Sequence, residues 1–588
     1  MTYLEKLTAL RRLMEEAHID AYIIPSSDPH ISEYLPERYK CIAWASGFTG
    51  SAGTLAITQS FAGLWTDTRY FVQAAEQLAG SGYELVKSKV QHAPEYADWL
   101  AEVLPAGAVV AFDGGLMSAA LAAGVRQPLA DARIEVKADV DLLGPLWHDR
   151  PALPSNPAFL LTEDITGEST VSKLSRLRVE MARNHADAHL ISSLDDVAWL
   201  LNIRGSDVVC NPVVLAYVLV TADTATLFID EAKLTVQERS QLQAAGVDVA
   251  AYTAVDDYLA RFSEKTFLVD PRRTCSRIYN LMPVVKEVIN PTTHFKSIKN
   301  CVEIDHFRET MIKDGVALTR FFKWLEETVG VQTVTELSLS ARLREFRAEQ
   351  DGFVGESFDT IAGYREHGAL PHYKATEASN SELQPDGLLL VDSGGQYRTG
   401  TTDITRVVTL GNPTAEERTD YTLVLKGMIE GSTAVFPEGT RGYQIDAFTR
   451  KPLWDSLRNY GHGTGHGVGF FLNVHEGPHT FNGAAVDIPV AQGTVTSIEP
   501  GLYREGEYGI RIENLVLGVN HADTRFGAFM TFETLTLCYI DTRLVDKSLL
   551  ESKHVTWLND YHAMVYDRLS PYLNQQDQQW LAKKTAAI

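Results

Sequence analysis

Cysteine and positive charge are scarce in this sequence. Its 588 residues include 5 cysteines, which are scattered along the chain and never form a close pair. They suggest neither a disulfide framework nor a thiolate zinc site, and a reducing cytoplasm fits them best. The formal net charge of −23 repels phosphate backbones and anionic lipid, and no stripe rich in Lys and Arg overrides it locally. Nucleic acid is therefore not an expected partner.

Long apolar runs are also missing, since none approaches the roughly 20 residues needed to span a bilayer. Residues 1–6 lead straight into an amphipathic helical pattern, without the charged-then-apolar signature of a signal peptide. We therefore expect a cytoplasmic protein with no membrane partner. The hydrophobic fraction of 45 % and the charged fraction of 22 % are those of an ordinary globular protein, so nearly all of the chain should fold.

The length of the chain requires several domains, because single cores stop growing near about 250–300 residues. Proline-dense residues 148–157 and the shorter stretch 290–294 read as linkers. They predict three domains, 1–150, 151–295 and 296–588. A helix that feeds a buried strand in residues 6–26 recurs in residues 173–193, which predicts that the first two domains are related α/β domains. Chance similarity of one short helix is the alternative.

Secondary structure in the third domain follows from periodicity. Apolar residues at helical spacing predict a helix over about 304–329. Thr414 and Glu417 have the spacing of a capping box at the start of another helix. The pair Gly394–Gly395 predicts a hairpin-like connection. Two helices are expected within Lys547–Lys584, and strands are expected at 387–392, 401–410, 495–499 and 508–516.

The acidic residues of the predicted strands are not distinctive one at a time. Asp392 could be a turn former at a strand end, and Asp403 could lie on the solvent face of its strand. Glu499 is expected at a strand end before a turn, and Glu513 lies among isoleucines. A buried acid needs a charge partner, which for Glu513 is either Arg511 on the same strand face or a metal ion.

Residues 461–469 have glycine at every second position. This spacing costs conformational entropy, so a close backbone approach or unusual dihedrals should account for it. His462 and His466 are four apart in a segment that reads as extended, which would point both imidazoles to the same side. One could then bind a metal while the other faces a substrate. A glycine-rich loop with incidental histidines is the alternative.

Together, these residues make an oxygen-rich set. The candidate ligands are Asp392, Asp403, His466, Glu499 and Glu513. Four carboxylates and one imidazole are too acidic for one ion and suit two divalent ions about 3.5–4 Å apart. Hard oxygen ligands favour manganese, with cobalt or iron as alternatives.

The order Asp, Asp, His, Glu, Glu and the spacing of its first pair resemble the pita-bread metallopeptidases, the group that includes methionine aminopeptidase, prolidase and aminopeptidase P. Residues 47–53, 65–71 and 462–478 strengthen the resemblance, which is closest to the long, three-domain cytosolic form of aminopeptidase P and covers the whole chain. It implies an α+β fold, with two related N-terminal α/β domains like that of creatinase followed by a C-terminal pita-bread catalytic domain. It also implies a homodimer.

Site roles follow from the same resemblance. The five candidate ligands would hold two metal ions, most simply Mn²⁺. The non-ligand histidines of the family fall on His372, His462 and His475, for which ordinary polar packing is the alternative. These three histidines and Arg511 form the expected substrate-binding set. Pro371 departs from the aliphatic residue of the family pattern and weakens the geometry expected of His372.

The implied activity is removal of the first amino acid from peptides with proline in second position. Two ions would acidify a bridging water that attacks the carbonyl before proline, Glu499 would carry the proton to the leaving nitrogen, and His475 would stabilise the oxyanion. His372 and His462 would wall the proline pocket. The alternatives are a prolidase restricted to dipeptides, a creatinase-like hydrolase without metal, and a non-catalytic binding module on the same fold.

Overall fold

The computed structural model describes residues 1–90 and 93–588. The chain forms two compact units, one of residues 1–162 and 168–292 and the other of residues 163–167 and 293–588. The division into three domains at residues 150 and 295 remains a prediction.

The first half of the first unit is built on a sheet that the described residues form from six strands in the order β4-β3-β2-β1-β5-β6. Helix α1 buries Leu7, Leu10 and Met14, which share one apolar cluster with Leu55 and Ile57 of β2. The elements are α1 (Tyr3–Glu16), β1 (Ala21–Pro25), α2 (Cys41–Ser46), β2 (Thr54–Thr58), β3 (Ala62–Thr66), α3 (Phe71–Gln77), β4 (Glu84–Lys87), α4 (Glu95–Val103), β5 (Val109–Phe112), α5 (Ala119–Asp131) and β6 (Glu135–Lys137).

The second half of this unit repeats that arrangement in a sheet of order β12-β11-β10-β8-β13-β14. In each sheet the strand after the repeated helix pairs antiparallel on one side and parallel on the other. The elements are β7 (Phe159–Leu160), α6 (Glu163–Thr166, which belongs to the other unit), α7 (Thr170–Arg183), β8 (Ala188–Ile191), α8 (Leu194–Leu200), β9 (Ile203–Arg204), β10 (Ala216–Thr221), β11 (Ala225–Ile229), α9 (Val236–Ala244), β12 (Asp248–Ala251), α10 (Val255–Leu259), β13 (Thr266–Val269), α11 (Ser276–Tyr279) and β14 (Val284–Glu287).

Helices of the second unit begin where the sequence places caps. The long helix starts after Asn300, whose side chain accepts hydrogen bonds from the first turn. The capping box of Thr414 and Glu417 is present and confirms that prediction. The helices are α12 (Pro291–Ser297), which crosses from the first unit, α13 (Cys301–Thr328), α14 (Glu336–Ala348), α15 (Ala415–Ser432), α16 (Gly442–Trp454), α17 (Ser552–Leu569) and α18 (Gln575–Lys584).

Strands of the second unit form several small sheets and one larger sheet of order β21-β28-β27-β24-β22-β23. Val424 and Met428 of α15 pack in one core with Ile498 of β24 and Leu515 of β27. The strands are β15 (Phe353–Glu356), β16 (Ile361–Tyr364), β17 (Leu388–Ser393), β18 (Gly395–Tyr397), β19 (Gly400–Thr401), β20 (Ile404–Thr409), β21 (Phe436–Pro437), β22 (Gly465–Gly467), β23 (Glu476–Phe481), β24 (Val495–Ile498), β25 (Gly501–Arg504), β26 (Tyr508–Arg511), β27 (Asn514–Thr524) and β28 (Gly527–Thr534).

The predicted hairpin-like connection between residues 387–392 and 401–410 is present, because β17 and β20 pair antiparallel, but Gly394–Gly395 does not form its turn. Gly395 instead begins β18, in a separate small sheet with β15 and β19. A Cβ added at Gly394 would lie 2.0 Å from the Thr402 carbonyl oxygen and 2.1 Å from Ser357 Oγ. The glycine therefore marks a close approach of two chain segments rather than a turn.

Two predicted strands are interrupted, and both interruptions fall at candidate ligands. The strand predicted at 401–410 breaks before β20 at Thr402 and Asp403, and the strand predicted at 508–516 breaks at Ile512 and Glu513. His462 also lies outside any strand, since only Gly465–Gly467 of the glycine-rich segment is paired. The expectation of one extended segment carrying both histidines was therefore wrong.

The C-terminal region contains the two predicted helices, α17 and α18. Across the residues that the structure describes, no helix combines the length and the apolar character needed to cross a lipid bilayer.

Candidate metal centre

All five predicted ligands lie in the second unit, and strand pairing brings their positions together. Asp392 lies in β17 opposite Thr405, next to the break that holds Asp403. Strand β24 pairs with β22, which carries His466, and with β27, whose first residue follows Glu513. Glu499 comes directly after β24. Residues that are far apart in the sequence thus meet at one end of these strands.

The closest meeting point involves the imidazole of His466. Its Nε2 lies 3.4 Å from Asp403 Oδ2 and 3.5 Å from Glu499 Oε1. Ligand atoms of Asp403, His466 and Glu513 all lie within 4.8 Å of one another. Two donors each about 2.1 Å from one ion at a tetrahedral angle are about 3.4 Å apart, so the observed spacing fits shared coordination.

His466 is oriented for this purpose by its other ring nitrogen. Nδ1 donates to the Gly467 carbonyl oxygen at 2.9 Å, which leaves Nε2 facing the carboxylates. Burial lowers the pKa of His466, but Asp403 and Glu499 outweigh it and raise the pKa to about 9. The His466 ring therefore lies in a strongly negative environment, which would also stabilise a bound cation.

Two carboxylate oxygens at the site are buried without a partner. Oδ1 of Asp392 and Oε1 of Glu513 make no hydrogen bond to any residue that the structure describes. An unsatisfied buried acceptor costs about 1–3 kcal/mol, and more when it is charged. A bound cation supplies the missing interaction, so these oxygens fit metal ligation.

The acids also raise each other's pKa. Burial raises the pKa of Glu513 well above its ordinary value, and repulsion from Asp403, Glu499 and Asp392 adds to it. Burial raises the pKa of Glu499 to about 7, and burial also raises that of Asp392. Such a concentration of buried negative charge is costly unless cations compensate it.

Arg511 is not the charge partner of Glu513 that the sequence allowed. Its Nη2 donates to Asp392 Oδ2 at 2.5 Å, and its Nε donates to Thr405 Oγ1 at 3.1 Å. Thr405 in turn donates to Glu513 Oε2 at 2.8 Å. Because the strand ends at Arg511, the two side chains do not share a strand face, and the arginine reaches Glu513 only through the threonine.

His462 is joined to the same cluster through a tyrosine. Arg511 Nη1 donates to Tyr503 Oη at 2.6 Å, so the hydroxyl donates to His462 Nε2, 2.7 Å away. His462 Nδ1 completes a neutral tautomer by donating to the Gly463 carbonyl oxygen at 2.7 Å. A chain of hydrogen bonds therefore runs from His462 to Asp392.

Tyr503 and Thr405 were missed by sequence reasoning. The one sequence signal for Tyr503 is Gly501, which lies opposite Arg511 on the β25–β26 hairpin. A Cβ on Gly501 would lie 2.6 Å from the Tyr503 hydroxyl, so the glycine leaves room for that ring. Thr405 gives no comparable signal, because its role follows from the register of β17 and β20.

Of the remaining predicted histidines, His475 contacts the cluster directly, and His372 is next in sequence to a residue that does. The ring of His475 lies edge-on to His466, with centroids 4.3 Å apart and an interplanar angle of 83°. His372 follows Pro371, whose carbonyl oxygen accepts from Arg511 Nη2 at 3.3 Å. The roles of both histidines and of Arg511 toward a substrate remain predictions.

Comparisons with known proteins agree along the whole chain. Residues 305–518 match metallopeptidase family M24, and residues 528–588 match the C-terminal region of that family. Residues 6–142 and 149–303 each match a creatinase/prolidase N-terminal domain. "Aminopeptidase P2" of Arabidopsis thaliana is 41 % identical over 99 % of this chain and 88 % of its own length. "Probable Xaa-Pro aminopeptidase P" of Neurospora crassa is 40 % identical over 99 % of this chain and 89 % of its own length.

A solved structure also matches the complete fold. The X-prolyl aminopeptidase of Caenorhabditis elegans, described as a cytosolic enzyme with a di-nuclear active site, has a TM-score of 0.96 and 35 % identity, with full coverage of both chains. The predicted fold class, two creatinase-like domains followed by a pita-bread domain, is confirmed. On this similarity in sequence and structure, the chain belongs to metallopeptidase family M24.

Proposed function

We propose that this chain is an Xaa-Pro aminopeptidase, which hydrolyses the bond before a proline in second position and releases the first amino acid. Curated relatives named "Probable Xaa-Pro aminopeptidase P" align over 99 % of the chain, and a solved X-prolyl aminopeptidase matches its full length. The observation that carries the proposal is the convergence of Asp403, His466 and Glu513. Glu513 Oε1 and the nearby Asp392 Oδ1 are buried and accept no hydrogen bond from the residues that the structure describes.

The centre would hold two divalent ions, most simply Mn²⁺, on Asp392, Asp403, His466, Glu499 and Glu513. The neighbour in Caenorhabditis elegans is described as di-nuclear, and the four carboxylates here match the charge of two such ions. When bound, the ions supply Lewis acidity toward the scissile carbonyl and make water acidic enough to attack near neutral pH. Hard oxygen ligands favour manganese over metals that prefer thiolates.

Glu499 is the proposed proton carrier. Its Oε1 borders the same point as His466 Nε2 and Asp403 Oδ2, so it faces the position where a water nucleophile must lie. It would accept the proton of that water and deliver it to the leaving nitrogen. Ser497 Oγ donates to Glu499 Oε1 at 3.2 Å and helps to fix the carboxylate.

The three non-ligand histidines and Arg511 form the substrate side of the site. His475, edge-on to His466, stabilises the oxyanion, while His372 and His462 wall the pocket for proline. Arg511 holds Asp392 and, through Tyr503, fixes the tautomer of His462. A dedicated pocket is needed because the proline nitrogen has no N–H and its ring fixes φ.

The substrates are peptides with proline second, and the protein acts in the cytoplasm as a homodimer, without nucleic acid or membrane as partner. The net charge of −23 disfavours nucleic acid and anionic lipid as partners, and the description of the Caenorhabditis elegans neighbour as cytosolic supports the cytoplasm.

The proposal is tested with matched peptides, comparing kcat/KM for Xaa-Pro, Xaa-Pro-Xaa and Xaa-Ala-Xaa. Peptides of three or more residues with proline second should be cleaved at least as well as the dipeptide, and alanine in place of proline should remove most of the rate. Strong preference for the dipeptide would instead assign prolidase activity.

A further inference from the structure

The carboxylate of Glu336 lies far from the five ligands in the sequence and has no role in the mechanism above. It is the first residue of α14 and is fully buried. Its Oε1 accepts from the Tyr364 backbone N–H at 2.9 Å and from His367 Nδ1 at 2.8 Å. Its Oε2 accepts from the Tyr373 hydroxyl and the Ser381 backbone N–H, each at 2.9 Å. Four donors thus converge on one acceptor group.

Those donors all belong to the segment 364–381, which carries His372. Two of them are backbone amides at its ends, so the carboxylate closes the segment into a loop. The other two hold its interior, where the rings of His367 and Tyr373 stack with centroids 4.3 Å apart. On the other side of His372, the Pro371 carbonyl oxygen accepts from Arg511 Nη2 at 3.3 Å. Both neighbours of His372 are therefore anchored.

The same loop is pressed against two strands. A Cβ on Gly509 of β26 would lie 1.7 Å from the Gly368 carbonyl oxygen, and one on Gly363 of β16 would lie 2.7 Å from the Gly368 Cα. Backbones this close leave no room for the loop to shift toward the sheet. A change at its anchor is therefore transmitted to His372 rather than absorbed by space beneath the loop.

We infer that Glu336 is a positioning residue, which acts on catalysis by fixing His372 beside the site. The inference rests on the proposed role of His372 in the substrate pocket. A glutamine at position 336 has the same shape. Its NH₂ group, however, would replace one of the two carboxylate oxygens, and the two donors that this oxygen serves would lose their acceptor. Buried donors left without acceptors cost free energy, and the loop would move to satisfy them.

The test compares Glu336→Gln, His372→Ala and the double variant in the full-length, Mn²⁺-loaded protein, with Thr335→Ala as matched control. Thr335 caps the same helix end by accepting from the Ser338 N–H at 3.2 Å, so its loss weakens the helix without touching the carboxylate. We expect Glu336→Gln to lower kcat/KM on Xaa-Pro-Xaa about 10- to 100-fold, the range that misplacement by about 1 Å can produce. Metal content should equal that of the parent, because Glu336 contacts none of the five ligands.

The double variant separates positioning from general damage. Its kcat/KM should match that of His372→Ala within about threefold, because residues that act through one another are not additive. Thr335→Ala should lower the melting temperature and keep the parent kcat/KM. Full activity in Glu336→Gln, multiplicative losses in the double variant, or an equal loss in Thr335→Ala would overturn the inference. A His372→Ala variant with parent activity would instead refute the proposed role of His372.

Discussion

Two adjacent imidazoles at the centre differ in what they face. His466 turns Nε2 toward Asp403 and Glu499, whereas His475 lies edge-on against the His466 ring. We predict that His466→Ala loses metal and lowers turnover by several orders of magnitude, because it removes a ligand. His475→Ala should keep metal and lose on the order of 10²- to 10⁴-fold in kcat.

Metal analysis beside steady-state kinetics checks both variants, and circular dichroism verifies that each remains folded. Loss of the ions from His475→Ala together with their retention in His466→Ala would reverse the two assignments.

The Tyr503 hydroxyl links Arg511 to His462, and its loss tests that chain of hydrogen bonds. We predict that Tyr503→Phe lowers kcat about 10-fold, since His462 loses the hydrogen bond that links it to Arg511, while metal content is unchanged. Tyr508→Phe is the matched control on the neighbouring strand, where the hydroxyl donates to Asp420 Oδ2 at 2.9 Å. It should affect melting temperature alone, and an equal kinetic effect of both variants would refute the linkage.

At the scale of single residues, the sequence predicts which side chains belong to the site better than it predicts their hydrogen-bond partners. The histidines stand out in a segment with glycine at every second position, whereas the acids are recognised only as a set with His466. The pairing of Arg511 with Asp392 could not be predicted, because it depends on which strands are neighbours. Tyr503 and Thr405 remained hidden for the same reason.

Breaks in strands are the element-scale feature that periodicity missed. Alternation predicts unbroken strands at 401–410 and 508–516, yet each breaks next to a candidate ligand, Asp403 or Glu513. Pairing with neighbouring segments decides where a strand stops, and local sequence does not encode that pairing. Caps were predicted better, as at Thr414, because a capping box involves residues three apart.

Helix α17 of the C-terminal region is linked to the backbone of Glu513 through the buried side chain of Arg406. Arg406 Nη1 donates to the Glu513 carbonyl oxygen at 2.5 Å, and Nη2 donates to the Tyr561 hydroxyl of α17 at 2.8 Å. We predict that Tyr561→Phe lowers the free energy of unfolding by about 1–3 kcal/mol, because the buried hydroxyl that accepts from Arg406 and donates to the Cys538 carbonyl oxygen at 2.7 Å is lost.

Denaturant unfolding of the metal-free protein measures this loss. Tyr566→Phe, at a half-buried position on the same helix, should cost less than about 0.5 kcal/mol. Equal losses in the two variants would contradict this role of the Tyr561 hydroxyl.

The whole molecule follows the plan that the repeat in its sequence predicts. The helix and strand of residues 6–26 recur at 173–193 because each begins a six-stranded sheet of the same order. The number of related sheets was therefore predictable. The assembly of the centre was not, since it depends on contacts between strands separated by more than 100 residues, such as Asp392 of β17 and Arg511 of β26.

The central claim is that five side chains hold two divalent ions on which peptide cleavage depends. It is tested most directly by removing all metal from the full-length protein, titrating Mn²⁺ back, and measuring bound metal and cleavage of an Xaa-Pro-Xaa peptide on the same samples. We expect no cleavage without metal, recovery on addition, and saturation at about two ions per chain. An undiminished rate in metal-free protein would contradict the claim.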